Sequence, residues 1–373
     1  MSLSIGTPPQ QFDIQLDTGS SIFWVRSTFC SSGNGCLTSP MFQPSKSSTF
    51  QNDGKSRTQQ IVYGDGTQVT CSVFFDTVTI SSVVVPNVGL CATTLIMLPN
   101  GSPVSDGLMG ISPPGKSDAT DFMSFMKSAF GAAQISFWYD PRQSGIIQAY
   151  SLNAGEVVFG AVDVDRFEGD MMWLSIKPNS SFWTVRLVSI IIDDRIHSNS
   201  TSLTVGSSAI LDSGTTLVYL PSDLFQQLNA KMGGVSQNGI FVVSCDTRTF
   251  PNITFIINSH EFQLSGSQLI FTDGQTCYSI FTPSDNGSSA SDNTPQIIFG
   301  VGFLRNYYVS FDLDLQAVGF AKLVGGAGGV GPTLVAQPLP NPSADSSNSA
   351  NAPDSTSSKL TGIIILISLV LLF

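Results

Sequence analysis

Ile14-Gln15-Leu16-Asp17-Thr18-Gly19-Ser20 and, far along the chain, Ala209-Ile210-Leu211-Asp212-Ser213-Gly214-Thr215 repeat one pattern: an apolar lead, an aspartate, a hydroxyl residue, a glycine and a second hydroxyl. Either copy alone reads as a strand running into an ordinary turn, because glycine and small hydroxyl residues dominate turns. Two copies with matching flanks imply two related halves, each contributing one carboxylate to a common site.

The chain has 373 residues, 42% of them apolar, which is enough for two packed units. Sixteen Lys and Arg stand against 27 Asp and Glu, a net charge of −11 that argues against nucleic acid as a partner. Nearly all the acids are Asp; only Glu156, Glu168 and Glu261 are Glu. A chain this poor in cations gathers little self-repulsion when its carboxylates protonate, so it would tolerate acid. With only His197 and His260 and no Cys-x-x-Cys pair, neither a metal site nor a His-dependent triad is expected, and no cofactor is called for.

Six cysteines, Cys30, Cys36, Cys71, Cys91, Cys245 and Cys277, allow many pairings. Val69 to Ile80 and Val83 to Ala92 read as strands around a turn at Ser81-Ser82, which sets residue 71 opposite 91 or 92 and suggests a Cys71 to Cys91 bridge. Cys30 with Cys36 would then close a small Gly/Asn-rich loop and Cys245 with Cys277 a long one; free buried cysteines are the alternative. Asn100, Asn179, Asn199, Asn252 and Asn286 each begin an Asn-x-Ser/Thr sequon and are candidate N-glycosylation sites. Cysteines and sequons together favour a secreted protein.

Up to about Lys322 the chain consists of short Val, Ile, Phe and Thr runs separated by Gly, Pro, Asn and Ser, the pattern of an all-β protein. The clearest helical spacings lie in Asp121 to Ala129 and Ser222 to Met232, whose apolar faces read as core. Residues 326–358 form a Gly/Pro/Ser-rich stretch that cannot bury enough to fold and reads as a disordered stalk. Residues 359–373 end in an apolar run from Ile363 to Phe373, shorter than the about 20 residues a membrane span needs. With small residues around Asn348 to Asn351 this matches a GPI-attachment signal, a short tail anchor being the competing reading. Met1 to Gly6 opens in a strand-like pattern without a secretion signal, so the true N-terminus, with any signal peptide and propeptide, is expected to lie outside this sequence.

Two carboxyls held close together cannot both ionise cheaply, so at mildly acidic pH one keeps its proton. Such a pair can activate water: the charged member takes its proton while the protonated member polarises the scissile carbonyl, with no covalent adduct. Gly19 and Gly214 would permit close backbone approach behind each carboxyl, and Ser20 and Thr215 could hydrogen-bond the outer oxygens.

At these residues the chain resembles the pepsin-type aspartic endopeptidases, from about Ile5 to Lys322. Ser20 to Val25 resembles the stretch after the family's first aspartate, whose tryptophan, here Trp24, supports a flap tyrosine. Tyr63-Gly64-Asp65-Gly66 resembles the hairpin flap. Asp106 to Ile111 and Ile297 to Gly300 resemble the segments that complete the loop around each aspartate. The resemblance pairs Cys30 with Cys36 and Cys245 with Cys277 as the family's first and last disulfides. It implies a bilobal, all-β fold of two barrel-like lobes, 1–163 and 164–325, with a cleft between them. Asp17 and Asp212 would be catalytic, and Tyr63, Gly64, Asp65 and Trp24 would form the flap and its support. Tyr63 would close over an extended peptide.

Fungal GPI-anchored surface proteases of the family are the nearest resemblance. They imply a monomer on an outer cell surface, acting on peptide or protein substrates. Leu108, Met109 and Ile111 either line the pocket or pack in the core. Asp65 either favours basic substrate side chains or stabilises its turn. The chain departs from the family pattern at Val301, where an aspartate is usual and whose loss would lower the apparent pKa values of the dyad, at Gln15, usually apolar, and at Ser213, usually threonine. A catalytically silent surface binding protein is the rival reading, but its usual losses, a dyad aspartate or the adjoining glycine, are not found here. A structural wall protein, the other rival, would not explain the paired motifs.

Overall fold

The computed structural model describes residues 1–30, 40–98, 105–114, 120–141, 151–194, 198–237, 240–284, 297–325, 333–334 and 363–369. The first motif sits at the end of the strand Gln10–Asp17, in which Phe12, Ile14 and Leu16 alternate inward while Gln11 and Asp13 face out. That strand pairs antiparallel with Ser2–Ile5 and parallel with Gly107–Gly110, which pairs in turn with Phe23–Val25. Phe23–Val25 joins Val83–Met97, which joins Gln68–Ile80, and Gln68–Ile80 returns to Ser2–Ile5 at Val78 and Ile5. The ring is closed, so these strands leave no open edge.

The second half repeats the arrangement around Asp212. Asn199–Leu211 leads into the motif and runs parallel to Ile297–Phe299, which is antiparallel to Val218–Leu220. Gly107–Gly110 stands in the same relation to the strands flanking Asp17. Thr184–Asp194, Asn252–Ile257 and His260–Leu264 extend the second sheet, and a smaller sheet of Val235–Gln237, Ile240–Val243, Cys277–Ser279 and Ile270–Thr272 lies apart from it.

A third sheet joins the halves, in the order Phe167–Ser175, Ala317–Leu323, Tyr308–Asp312, Gln134–Tyr139, Ser151–Phe159 and Ile363–Leu369. One apolar core runs through all of this, from Leu3 and Phe12 through Phe137 and Trp183 to Phe303 and Phe320. Each such side chain, fully buried, contributes about 1.5–3 kcal/mol. The all-β, bilobal expectation holds.

The helix expected over Asp121 to Ala129 spans Met123–Phe130. Its N-cap is Phe122, and Asp121, just before the cap, accepts from the Met123 amide at 3.0 Å and the Ser124 hydroxyl at 3.1 Å, which holds the chain entering the helix. It ends at Gly131, whose φ of 89° permits the left-handed turn. The second helix is Ser222–Met232, as expected. Neither is long and apolar enough to cross a membrane, nor is any other among the described residues.

The Cys71–Cys91 bridge is present, but the expected register is corrected. A bulge between Asp76 and Val78 sets Cys71 opposite Thr93 and Val73 opposite Cys91, so the disulfide crosses diagonally with the Cα atoms 5.4 Å apart. Cys245–Cys277 is also formed. Cys30 is disulfide-bonded; its expected partner Cys36 lies outside the described residues. Among the sequons Asn179 and Asn199 are exposed and Asn252 half-buried, while Asn100 and Asn286 lie outside the described residues. So does nearly all of the expected stalk, apart from Thr333–Leu334, which pairs with His260–Leu264.

Candidate active site

Each strand delivers its aspartate into a tight loop whose backbone is fixed by a neighbouring segment. On the first side Ile111 donates to the Asp17 carbonyl at 2.8 Å and Ser112 to the Ser20 carbonyl at 2.9 Å. On the second, Asp212 donates to the Phe299 carbonyl at 3.0 Å and Val301 to the Thr215 carbonyl at 2.8 Å. Gly110 and Gly300 are required here, because a Cβ on Gly110 would come within 2.7 Å of the Ser20 carbonyl and one on Gly300 within 2.9 Å of the Thr215 carbonyl carbon.

The two carboxyls are held in the same way. Asp17 Oδ1 accepts from the Gly19 amide at 2.8 Å and Oδ2 from the Ser20 hydroxyl at 2.5 Å. Asp212 Oδ1 accepts from the Gly214 amide at 2.8 Å and Oδ2 from the Thr215 hydroxyl at 2.6 Å. Each glycine faces the opposite carboxyl: a Cβ on Gly19 would lie 2.6 Å from both Asp212 oxygens, and one on Gly214 would meet Asp17 Oδ1. The glycines therefore set how closely the carboxyls approach. Asp17 is 5% and Asp212 8% exposed. Burial, and then the charge of Asp212, hold the Asp17 carboxyl well above the usual carboxylate range.

Beneath the carboxyls the motifs grip each other through Thr18 and Ser213, a contact that the sequence reading did not anticipate. Thr18 Oγ1 donates to the Leu211 carbonyl at 2.9 Å and accepts from the Ser213 amide at 2.7 Å. Reciprocally, Ser213 Oγ donates to the Leu16 carbonyl at 3.0 Å and accepts from the Thr18 amide at 3.1 Å. The signal was in the pattern: both copies carry a hydroxyl directly after the aspartate, and serine at 213 performs the full exchange. Gln15 finds a use as well, its Nε2 reaching the Gly214 carbonyl at 3.5 Å. Trp183, fully buried, donates to the Ile111 carbonyl at 2.9 Å and ties the second half to the loop behind Asp17. No local pattern marked it.

Tyr63-Gly64-Asp65-Gly66 stands at the tip of a hairpin. Thr58–Val62 and Gln68–Ile80 pair up to Val62 and Gln68, and the turn closes through Tyr63 N–H to the Thr67 carbonyl at 2.9 Å. Asp65 accepts from the Thr67 amide at 2.8 Å and its hydroxyl at 2.9 Å, which favours the turn-stabilising alternative. Gly64 and Asp65 are exposed at the tip. Trp24 Nε1 donates to the Tyr63 hydroxyl at 2.7 Å. The Tyr63 phenol is pushed up by burial and then by the charge of Asp17.

The base of the flap packs as a separate apolar cluster of Trp24, Ile61, Val69, Val73, Leu108 and the Cys71–Cys91 bridge. Leu108 belongs to that cluster, whereas Met109 and Ile111 lie in the main core. Val301 is buried in the main core as well. Tyr219, in Val218–Leu220, is half-buried, its phenol pushed up by burial and then by the charges of Asp65 and Asp212. Among the described residues no cluster of His, Cys, Asp and Glu could hold a metal ion.

Residues 1–323 match the family model described as eukaryotic aspartyl protease. Gastricsin of Rattus norvegicus is 34% identical over 339 residues, with 86% of this chain and 80% of that protein covered. Gastricsin of Oryctolagus cuniculus is 34% identical over 333 residues and that of Homo sapiens 33% over 330, with the same coverage. A family match over nearly all of the folded chain, with relatives this similar along most of their length, means that the chain belongs to the eukaryotic aspartyl protease family and is an aspartic endopeptidase.

Proposed function

We propose that Asp17 and Asp212 together activate the water that cleaves the peptide bond. The observation that carries this is their equivalence: each is clamped by a glycine amide and a hydroxyl, and each faces the glycine of the other motif. With one proton on the pair, the ionised member removes a proton from the water as its oxygen attacks the scissile carbonyl carbon. The protonated member gives its proton to the carbonyl oxygen. The tetrahedral diol then collapses, the C–N bond breaks, and a proton passes to the leaving amine. No protein atom becomes bonded to substrate.

Tyr63 would swing with the flap over the bound peptide, and Gly64 at the tip leaves room for its backbone: a Cβ there would meet nothing within 4 Å. The peptide would lie extended, its backbone supplying affinity and alternate side chains selectivity. The lobes would be 1–163 and 164–325, their boundary in the short connection between two strands of the joining sheet. The test is cleavage of a denatured protein at acidic pH with pepstatin titrated in. Full inhibition near one equivalent supports the reading, and pepstatin-resistant cleavage refutes it.

We place the enzyme in the secretory pathway as a glycosylated monomer held on the outer cell surface by a GPI anchor. Support comes from the disulfides, from the exposed sequons Asn179 and Asn199, and from the apolar end of the chain. Attachment at a small residue upstream would remove Ile363–Leu369 from the Ser151–Phe159 edge it covers. Release from cells by a phosphatidylinositol-specific phospholipase, with a mature chain ending before residue 359, is the expected outcome; a mature chain retaining residues 363–369 refutes the anchor.

A further inference from the structure

Trp183 stands immediately before the strand Thr184–Asp194 and is fully buried. An indole brings a large apolar body into a core together with an N–H that needs an acceptor there. Here the acceptor lies in the other half of the molecule: Nε1 donates to the Ile111 carbonyl at 2.9 Å. The ring packs against Phe311 of the joining sheet with centroids 5.3 Å apart, and Phe311 meets Phe137 edge-on at 5.8 Å. The indole is thus set between the second half, the joining sheet and the segment that backs Asp17.

Both ends of this residue lead to the dyad. Ile111, whose carbonyl the indole bonds, donates its own amide to the Asp17 carbonyl at 2.8 Å. The Trp183 carbonyl accepts from the Leu211 amide at 3.0 Å, and Leu211 is the residue before Asp212. One residue therefore completes a path of hydrogen bonds from the main chain of Asp17 to the peptide that precedes Asp212. The exchange between Thr18 and Ser213 does not duplicate this path, because its bonds run among residues 16, 18, 211 and 213 and do not reach Ile111.

We propose that Trp183 is a positioning residue of the dyad: its indole N–H fixes the Ile111 segment against the strand that carries Asp212 and so sets how the two carboxyls face each other. This rests on reading Asp17 and Asp212 as the catalytic pair. The indole is fully buried and offers no surface to substrate, so its effect falls on the rate of the chemical step and not on binding. Displacing a reacting group by a fraction of an ångström to an ångström costs about ten- to a hundredfold in rate.

The test uses two replacements of Trp183. Trp183→Phe keeps an aromatic ring and removes the donor, while benzothienylalanine in place of Trp183 keeps the size and shape of the indole and puts sulfur where the N–H was. Kinetics with a single peptide, with active enzyme counted by pepstatin titration so that unfolded chains do not enter, should show kcat lowered about ten- to a hundredfold in both. KM should stay within about twofold of the wild type. Phe311→Leu, which removes the ring contact and leaves the N–H in place, should lower Tm without lowering kcat per titrated site. Wild-type kcat in the benzothienylalanine enzyme, a rise in KM in place of a fall in kcat, or a Phe311→Leu enzyme as slow as Trp183→Phe overturns the proposal. The underlying reading fails by a different result, namely cleavage that survives Asp212→Asn.

Discussion

Trp24 and Tyr63 lie 39 residues apart, and the indole N–H of one meets the phenol oxygen of the other at 2.7 Å. That bond fixes the Tyr63 ring at the turn between Thr58–Val62 and Gln68–Ile80, where the charge of Asp17 acts on its phenol. Trp24→Phe keeps the apolar body of the cluster and removes the donor. One such hydrogen bond is worth about 1–1.5 kcal/mol, so kcat/KM should fall about tenfold. Steady-state kinetics with a single peptide, alongside an unchanged far-UV spectrum, checks this; an unaltered kcat/KM would separate the flap from the indole.

The interlocked threonine and serine beneath the carboxyls should matter for stability more than for any single catalytic step. Thr18→Val is nearly isosteric and leaves both the Leu211 carbonyl and the Ser213 amide without their partner. The expected loss is about 2–4 kcal/mol, since buried groups are left unpaired, and Thr18→Ser should recover most of it. Urea unfolding of both variants measures the difference.

Gly214→Ala places a methyl group against the Asp17 carboxyl. The carboxyl must move, and displacement of a reacting group by a fraction of an ångström to an ångström costs about a hundredfold in rate. The prediction is a loss of kcat out of proportion to any fall in Tm, read by combining kinetics with calorimetry.

Stability should fall as pH rises from acid toward neutral. Asp17 is held above its ordinary value of 3.8 by burial and by Asp212, and burial also raises Glu156, Asp106 and Asp312. A carboxyl whose folded pKa is raised contributes stability that is complete below its unfolded value and is lost as pH passes its folded value. The carboxyls held low, such as Asp246 at about 2 beside Arg248 and Glu168 beside Lys322, act in the opposite sense. They sit in exposed pairs that solvent screens. Tm measured from pH 4 to pH 7 should therefore decline, and Asp17→Asn should flatten the decline. A Tm that rises over this interval would contradict the prediction.

Much of this site was legible because its chemistry is written in local pattern. An apolar alternation into Asp-hydroxyl-Gly gives strand and loop, and Tyr63-Gly64-Asp65-Gly66 gives a hairpin tip with its own capping carboxylate. What stayed hidden depends on contacts between distant segments. Thr18 and Ser213 are 195 positions apart, and nothing near Trp183 announces the loop that it serves. The Cys71 register was off because a bulge at Asp76 and Val78 leaves no compositional mark. Val301 is legible only by resemblance; Val301→Asp would bury a carboxylate in the core, and the acid limb of kcat/KM should move up as like charge opposes ionisation of the dyad.

The central claim is that Asp17 and Asp212 work as a single unit, and kcat/KM of Asp17→Asn, Asp212→Asn and the double variant tests it most directly. Groups that act together are strongly non-additive. Each single variant should lose about a thousandfold or more, and the double variant should be scarcely worse than either. A single variant that keeps near-wild-type cleavage, or a double variant whose loss is the product of two independent losses, would contradict a shared dyad.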